Sequence, residues 1–149
     1  MHIRRAEQRD ASRLAEIEVF SYRLNFYPIF KTDAYFFSEL SVPVLTEEYL
    51  REPERIENSF VYDDGVVKGF IRINGKEIEK LFVEPAFTGR GIGSALLSRA
   101  VGLGADNLLV LEKNLNAIRF YERLGFRLTD EKQRVDDTCE FLIRMKRGN

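Results

Sequence analysis

The sequence predicts a mixed α/β (α+β) layered fold: a central mixed sheet with antiparallel N-terminal strands, one parallel pair splayed apart, and helices on both faces. Three observations carry this. Asp63-Asp64-Gly65 and Asn74-Gly75 separate short apolar runs in the manner of hairpin turns. Leu81-Phe82-Val83 stops at Glu84-Pro85, passes Gly89, Gly91 and Gly93, and continues with apolar residues at helical spacing, which is a strand, a tight turn and a helix start. Asn107 to Leu111 is then a short apolar strand, and the crossover-length helix before it makes it a parallel neighbour of the strand ending at Val83. Two such strands, each followed by a helix, part at their carboxyl ends and leave a gap where ligands bind.

In chain order, His2 to Arg5 is a short strand, and Asp10 caps a helix with Ala11, Leu14, Ile17 and Phe20 along its apolar stripe. Rings crowd the next stretch, among them Phe26, Tyr27, Phe30, Tyr35, Phe36 and Phe37, and Pro28 interrupts it, so short helical pieces and loops are expected. Thr46 to Leu50 reads as a helical turn with acids near its start. Ser59 to Tyr62 and Val66 to Ile73 form a hairpin, and Lys76 to Val83 is the third strand of the meander. Strict alternation puts Glu77, Glu79, Leu81 and Val83 on one side of it, with Ile78, Lys80 and Phe82 on the other. The next helix turns Ile92, Ala95, Leu96, Ala100 and Leu103 inward and stops at Gly104. A second helix spans about 116 to 124 before Gly125, and Thr138 to Met145 closes the chain as a strand.

With 149 residues the chain suits one domain, 1–149, and 44% hydrophobic against 32% charged residues is the balance of a folded globular protein. A formal net charge of -1 gives no electrostatic ground for nucleic acid or an anionic membrane. The charged N-terminus and the lack of a long apolar run point away from a signal peptide or a membrane span, and one Cys suits a reducing compartment, so a cytoplasmic location is expected. Homodimer formation stays open. The sole His, His2, lies at a terminus, which argues against a Ser-His-Asp triad or a His-rich metal site, and lone Cys139 reads as a small strand residue.

The glycine turn is the strongest chemical signal. Glycines let the backbone approach a bulky anion, and first-turn amides point outward with the positive end of the helix dipole behind them. A Walker loop fails because Ser94 and Ala95, rather than Lys and Ser or Thr, follow Gly93. A dinucleotide fingerprint from Gly89 would need its third glycine at Ser94, although Glu112 stands where a ribose-binding acid would. The pyrophosphate arm of coenzyme A is the third reading.

Thr88-Gly89-Arg90-Gly91-Ile92-Gly93, after Leu81-Phe82-Val83-Glu84-Pro85, resembles the acyl-CoA motif of the GNAT superfamily of N-acyltransferases, with Thr88 where Arg or Gln is usual. Asn114-Leu115-Asn116-Ala117-Ile118-Arg119-Phe120-Tyr121, running on to Gly125-Phe126, is similar to that family's second signature. The resemblance covers residues 77 to 126. It implies a GNAT-like fold, acetyl-CoA as acyl donor without a metal, and a pantetheine arm laid along Leu81, Phe82 and Val83, where an amide near Phe82 or Val83 would hold the thioester carbonyl. Gly89 to Ser94 would surround the diphosphate, with Arg90 either adding charge or standing solvated. Asn114 would offer an amide to the pantetheine, while Asn116 reads as a helix cap and Ala117 completes the signature.

Tyr121 stands where the resemblance implies a proton donor to the departing thiolate, which a phenol can be; the other reading is a core ring on the Ala117, Phe120, Leu124 stripe. Glu77 and Glu79 are the candidate bases for the acceptor amine, through water, and the resemblance points to their strand without choosing between them. Phe26 and Tyr27 are candidate acceptor contacts on the side that this resemblance gives to the acceptor. The implied reaction is transfer of an acetyl group from acetyl-CoA to a primary amine, on a small molecule or a peptide, by direct attack in a ternary complex. The alternatives are a non-catalytic acyl-CoA sensor and a dinucleotide-binding domain.

Overall fold

The computed structural model describes residues 2–148. The chain begins with β1 (Ile3–Arg5), a 3₁₀ turn over Gln8–Asp10 and α1 (Ala11–Asn25). Then come α2 (Tyr27–Phe30), a π-helical turn at Tyr35–Glu39, α3 (Val42–Arg51) and α4 (Pro53–Glu57). The meander β2 (Ser59–Asp63), β3 (Val67–Asn74) and β4 (Glu77–Val83) leads through the glycine turn into α5 (Ile92–Gly102). The rest is β5 (Asn107–Leu111), α6 (Leu115–Arg123) and the antiparallel pair β6 (Phe126–Arg134) and β7 (Phe141–Arg147). All seven strands lie in one sheet, ordered β1-β2-β3-β4-β5-β7-β6, and only β4 and β5 pair in parallel.

Helices cover both faces, as the sequence predicts. On one face Leu14, Ile17 and Val19 of α1 and Leu45 and Tyr49 of α3 pack over Val61, Phe70 and Phe82. On the other, Ile92, Leu96 and Ala100 of α5 and Ile118 of α6 pack over Ile71, Ile78, Leu108 and Met145. A pair of capping bonds ends α5: Gly104, at φ 102, donates to the Val101 carbonyl and Ala105 to that of Ala100. Leu103, expected inside, is therefore turned out and exposed.

Several local expectations are corrected. Asp10 makes no side-chain cap to α1; its carboxylate accepts from the Glu7 N–H and the Arg4 guanidinium, and Phe20 is exposed. Helix α3 starts at Val42, capped by the Ser41 hydroxyl, so Glu47 and Glu48 fall in its middle. The stretch after Gly125 is a full strand, β6, that the sequence reading missed. Cys139 is exposed before β7 rather than within a strand.

A further correction bears on the site. Arg72 pairs with Lys80 and Ile73 with Ile78, so Glu79 is an extra residue, a β-bulge that resets the alternation of β4. Ile78, Leu81 and Val83 accordingly all pack toward α5, while Phe82 packs toward α1 and Lys80 donates to the Tyr22 hydroxyl of α1. Glu77 lies on the α1 side with Lys80, not with Leu81 and Val83, and Glu79 is exposed on the bulge.

Candidate active site

The site begins where β4 and β5 part. They share only the pairs Glu77↔Asn107 and Ile78↔Leu108. Further along, the Glu84 N–H donates to the Lys68 carbonyl at 2.8 Å across the pair Gly69↔Val83. In an antiparallel ladder that pattern turns the N–H and C=O of Val83 away from β3, and those of Leu81 likewise two residues earlier. Both residues thus present main-chain groups to the gap that β5 has left. The Phe82 amide faces β3, which narrows the expected carbonyl-holding donor to Val83 or Leu81.

The glycine turn closes one end of this seam. Gly89 and Gly91 take φ of 81° and 80°, a left-handed conformation that costs glycine little, and Gly91 is the N-cap of α5. The first bond into the helix is from Ala95 N–H to the Gly91 carbonyl at 3.0 Å. Among the described residues, the amides of Gly89, Arg90, Gly91, Ile92, Gly93 and Ser94 donate to no protein acceptor. Six donors beside the positive end of a helix dipole make a place for an anion. Thr88 turns its hydroxyl back to the Pro85 carbonyl at 3.1 Å, and Arg90 is exposed with its guanidinium over the Phe87 ring.

Helix α6 completes the wall. A methyl group built on Gly93 would stand 3.3 Å from Cζ of Phe120 and 3.6 Å from Cγ2 of Val83, so turn, β4 and α6 meet at this glycine. Asn114, rather than Asn116, is the cap: its Oδ1 accepts from the Ala117 N–H at 3.3 Å, and Asn116 is exposed in the first turn. Tyr121 lies edge-on between Phe120 and Phe126, with ring centroids 5.2 and 5.9 Å away. Its hydroxyl has no partner among the described residues, yet Ser21 Oγ is the only sealed and unpaired side-chain polar atom there, so the Tyr121 hydroxyl retains access to open space. Burial raises its pKa above that of a free phenol, so the hydroxyl is protonated at neutral pH.

On the α1 side a cavity of about 610 Å³ reaches the start of the seam, floored by Glu18, Tyr22, Arg72, Lys80 and Leu109 and rimmed by Glu48, Glu52, Glu54, Glu77 and Glu79. Beneath it Tyr49 donates to Glu18 at 2.6 Å, and Arg72 bonds the Tyr49 hydroxyl. Burial holds the Lys80 ammonium below its ordinary pKa. Glu77 is ion-paired with Arg144, whereas Glu79 receives only a long bond of 3.4 Å from Asn74. Phe26 stacks on Tyr22 at 4.9 Å and meets Phe82 edge-on, so it borders the seam. Tyr27 instead donates to Asp33 at 2.6 Å and packs on Phe36 and Phe37, within its own loop. The sequence reading missed Tyr22, Glu18, Arg72 and Lys80; a Lys immediately before an apolar strand run was the one available signal. A second hollow, beside Asp106 and Lys146, lies at the opposite end of β5. No group of His, Cys, Asp and Glu among the described residues could hold a metal, and no helix there is long and apolar enough to cross a membrane.

Comparison with known proteins agrees with this geometry. The family model for the acetyltransferase (GNAT) domain matches residues 55–128. The peptidyl-lysine N-acetyltransferase YjaB of Salmonella typhimurium is 31% identical over 103 residues, covering 62% of this chain and 70% of that protein. YiaC of Escherichia coli, another peptidyl-lysine N-acetyltransferase, is 33% identical over 91 residues, or 60% of each chain. Among solved structures, apo YjaB from Escherichia coli superposes with a TM-score of 0.70 at 25% identity, covering 97% of this chain and 95% of that one. The PaiA N-acetyltransferase of Thermoplasma acidophilum, solved with coenzyme A, gives 0.69 at 23% identity over 97% of each chain. The class is that of the N-acetyltransferases. The chain belongs to the GNAT acetyltransferase family, and the dinucleotide-binding alternative falls with that and with the antiparallel meander before the turn.

Proposed function

We propose that this acetyltransferase moves an acetyl group from acetyl-CoA to a primary amine by direct attack in a ternary complex, and that a lysine side chain of a peptide or protein is the acceptor. The observation that carries the donor half is the run of six unpaired amides from Gly89 to Ser94 in line with the free edge of β4. These amides hold the diphosphate, and the Val83 or Leu81 N–H faces the thioester oxygen and stabilises the charge that grows on it as the amine adds. Tyr121 supplies the proton that the leaving thiolate takes up. Glu79, a rim carboxylate on β4 itself with no ion pair among the described residues, takes the acceptor's proton through water. Ala117, Asn114 and Asn116 serve the site through α6: the first two fix its start, and the third lies at its exposed edge.

The acceptor half draws on the acidic rim of the cavity, which suits a cationic amine, and on relatives named as peptidyl-lysine acetyltransferases. Thiol release from acetyl-CoA, followed over a panel of lysine peptides, polyamines, aminoglycosides and amino acids, tests both halves. Turnover with lysine peptides above the other amines is the expected result. Tight binding of acetyl-CoA with no turnover on any amine would leave the sensor reading in its place.

A further inference from the structure

Glu77, a candidate base by sequence, sits in a cross-strand arrangement of a different kind. Arg144 of β7 stands opposite Leu109 of β5. Its Nη1 donates to Glu77 of β4 and, at 3.0 Å, to Oδ1 of Asn107 of β5, while Nε bonds Glu131 of β6 at 3.0 Å. One side chain thereby links four strands. Its place matters: Glu77 and Asn107 are themselves the first of the two register pairs that join β4 to β5, and beyond the second pair the strands separate. The sheet's two halves, β1 to β4 and β5 to β6, are joined at their seam by those two pairs, by the Lys76 carbonyl, which accepts from the Asp106 N–H at 2.9 Å and the Asn107 side chain at 3.2 Å, and by α5 packed across both. They are joined too by this guanidinium, which alone among the described residues reaches from β4 through β5 and β7 to β6. A planar Arg fork holds partners on both sides in fixed directions, where a Lys would offer a flexible point charge.

We propose that Arg144 and Glu77 form a positioning clasp that sets where the seam begins to open, and so where the Leu81 and Val83 amides stand relative to the glycine turn. The inference rests on the seam being the donor site. Glu77 then works through Arg144 and not as the base.

The test uses the full chain as wild type, Glu77→Gln, Arg144→Met and the double variant. Coenzyme A affinity is measured by calorimetry, and kcat, KM for acetyl-CoA and the pH profile by thiol release. Each single change should raise Kd and KM about tenfold, and the double should be no worse than either single, because both cut one link. The pH midpoints should stay where they are. Glu77→Gln is nearly isosteric and keeps the test sound should Arg144→Met fold poorly. Wild-type affinity in the single variants, even with a lowered melting point, would overturn the clasp. So would normal affinity with a lost acidic limb in Glu77→Gln alone, which would restore Glu77 as base. A wild-type chain that fails to bind coenzyme A would instead overturn the donor-site reading on which the clasp rests.

Discussion

Replacing Gly91 by Ala separates the glycine turn's role in the fold from its role in holding a ligand. Gly91 caps α5 at φ 80°, and an added methyl would meet nothing within 4 Å. The cost to the fold is then conformational, about 1–2 kcal/mol for an L-residue kept left-handed. At ~2–4 °C per kcal/mol for a chain of this size, melting should drop by roughly 2–8 °C. Total stability of about 5–15 kcal/mol absorbs that, so the variant stays folded. On the ligand side, the part of this strain that the turn relieves rotates the peptide planes flanking residue 91 and turns one of the six unpaired amides aside. A hydrogen bond to a charged group contributes about 1.5–3 kcal/mol, which weakens coenzyme A binding by roughly ten- to a hundredfold. Thermal melting and calorimetric titration with coenzyme A measure the two effects independently. A melting point that falls as calculated beside a Kd within about twofold of wild type would refute the amide cradle.

Tyr121→Phe should lower turnover by something like the ~10²-fold of a lost general acid, with coenzyme A affinity nearly unchanged; equal turnover would remove Tyr121 from the mechanism. Asn114→Ala should cost about 1 kcal/mol in denaturant unfolding, as a lost N-cap does, and Asn116→Ala should cost close to nothing; the reverse order would put the start of α6 elsewhere. Asp10→Asn addresses pH. Burial pushes the Asp10 carboxyl up, but the bond from Arg4 and the Glu7 N–H outweigh it and hold the pKa below the ordinary value of 3.8. A depressed carboxylate contributes stability that is present above the unfolded pKa and lost as pH falls through the folded one. The variant should therefore melt several degrees lower at pH 7, and the gap should narrow as pH falls below the ordinary carboxyl value of 3.8; a gap that persists in acid would mean that packing, not charge, is at work.

Much of the fold was legible because its signals are local. Asp-Gly and Asn-Gly turns, a proline after an apolar run, and glycines ahead of a helical stripe each act within a few residues. The bulge at Glu79 escaped because one extra residue in a strand shows only against its partner, through Arg72↔Lys80 and Ile73↔Ile78. The two asparagines of α6 were exchanged since either could cap, and a shift of one residue in the helix start decides it. Strand β6 was invisible for want of apolar alternation, most of its residues being exposed. Glu77's ion pair with Arg144 joins positions 67 residues apart, and nothing in either segment announces the other.

That same strand, β6, forms one rim of the sheet, where a ladder of backbone donors and acceptors lacks a neighbour. Arg127, Asp130, Glu131, Lys132 and Arg134 line this margin, and the irregular register between Leu128 and Lys132 bends it. Charges and an irregular register of this kind disfavour the addition of a second chain's strand at such an edge.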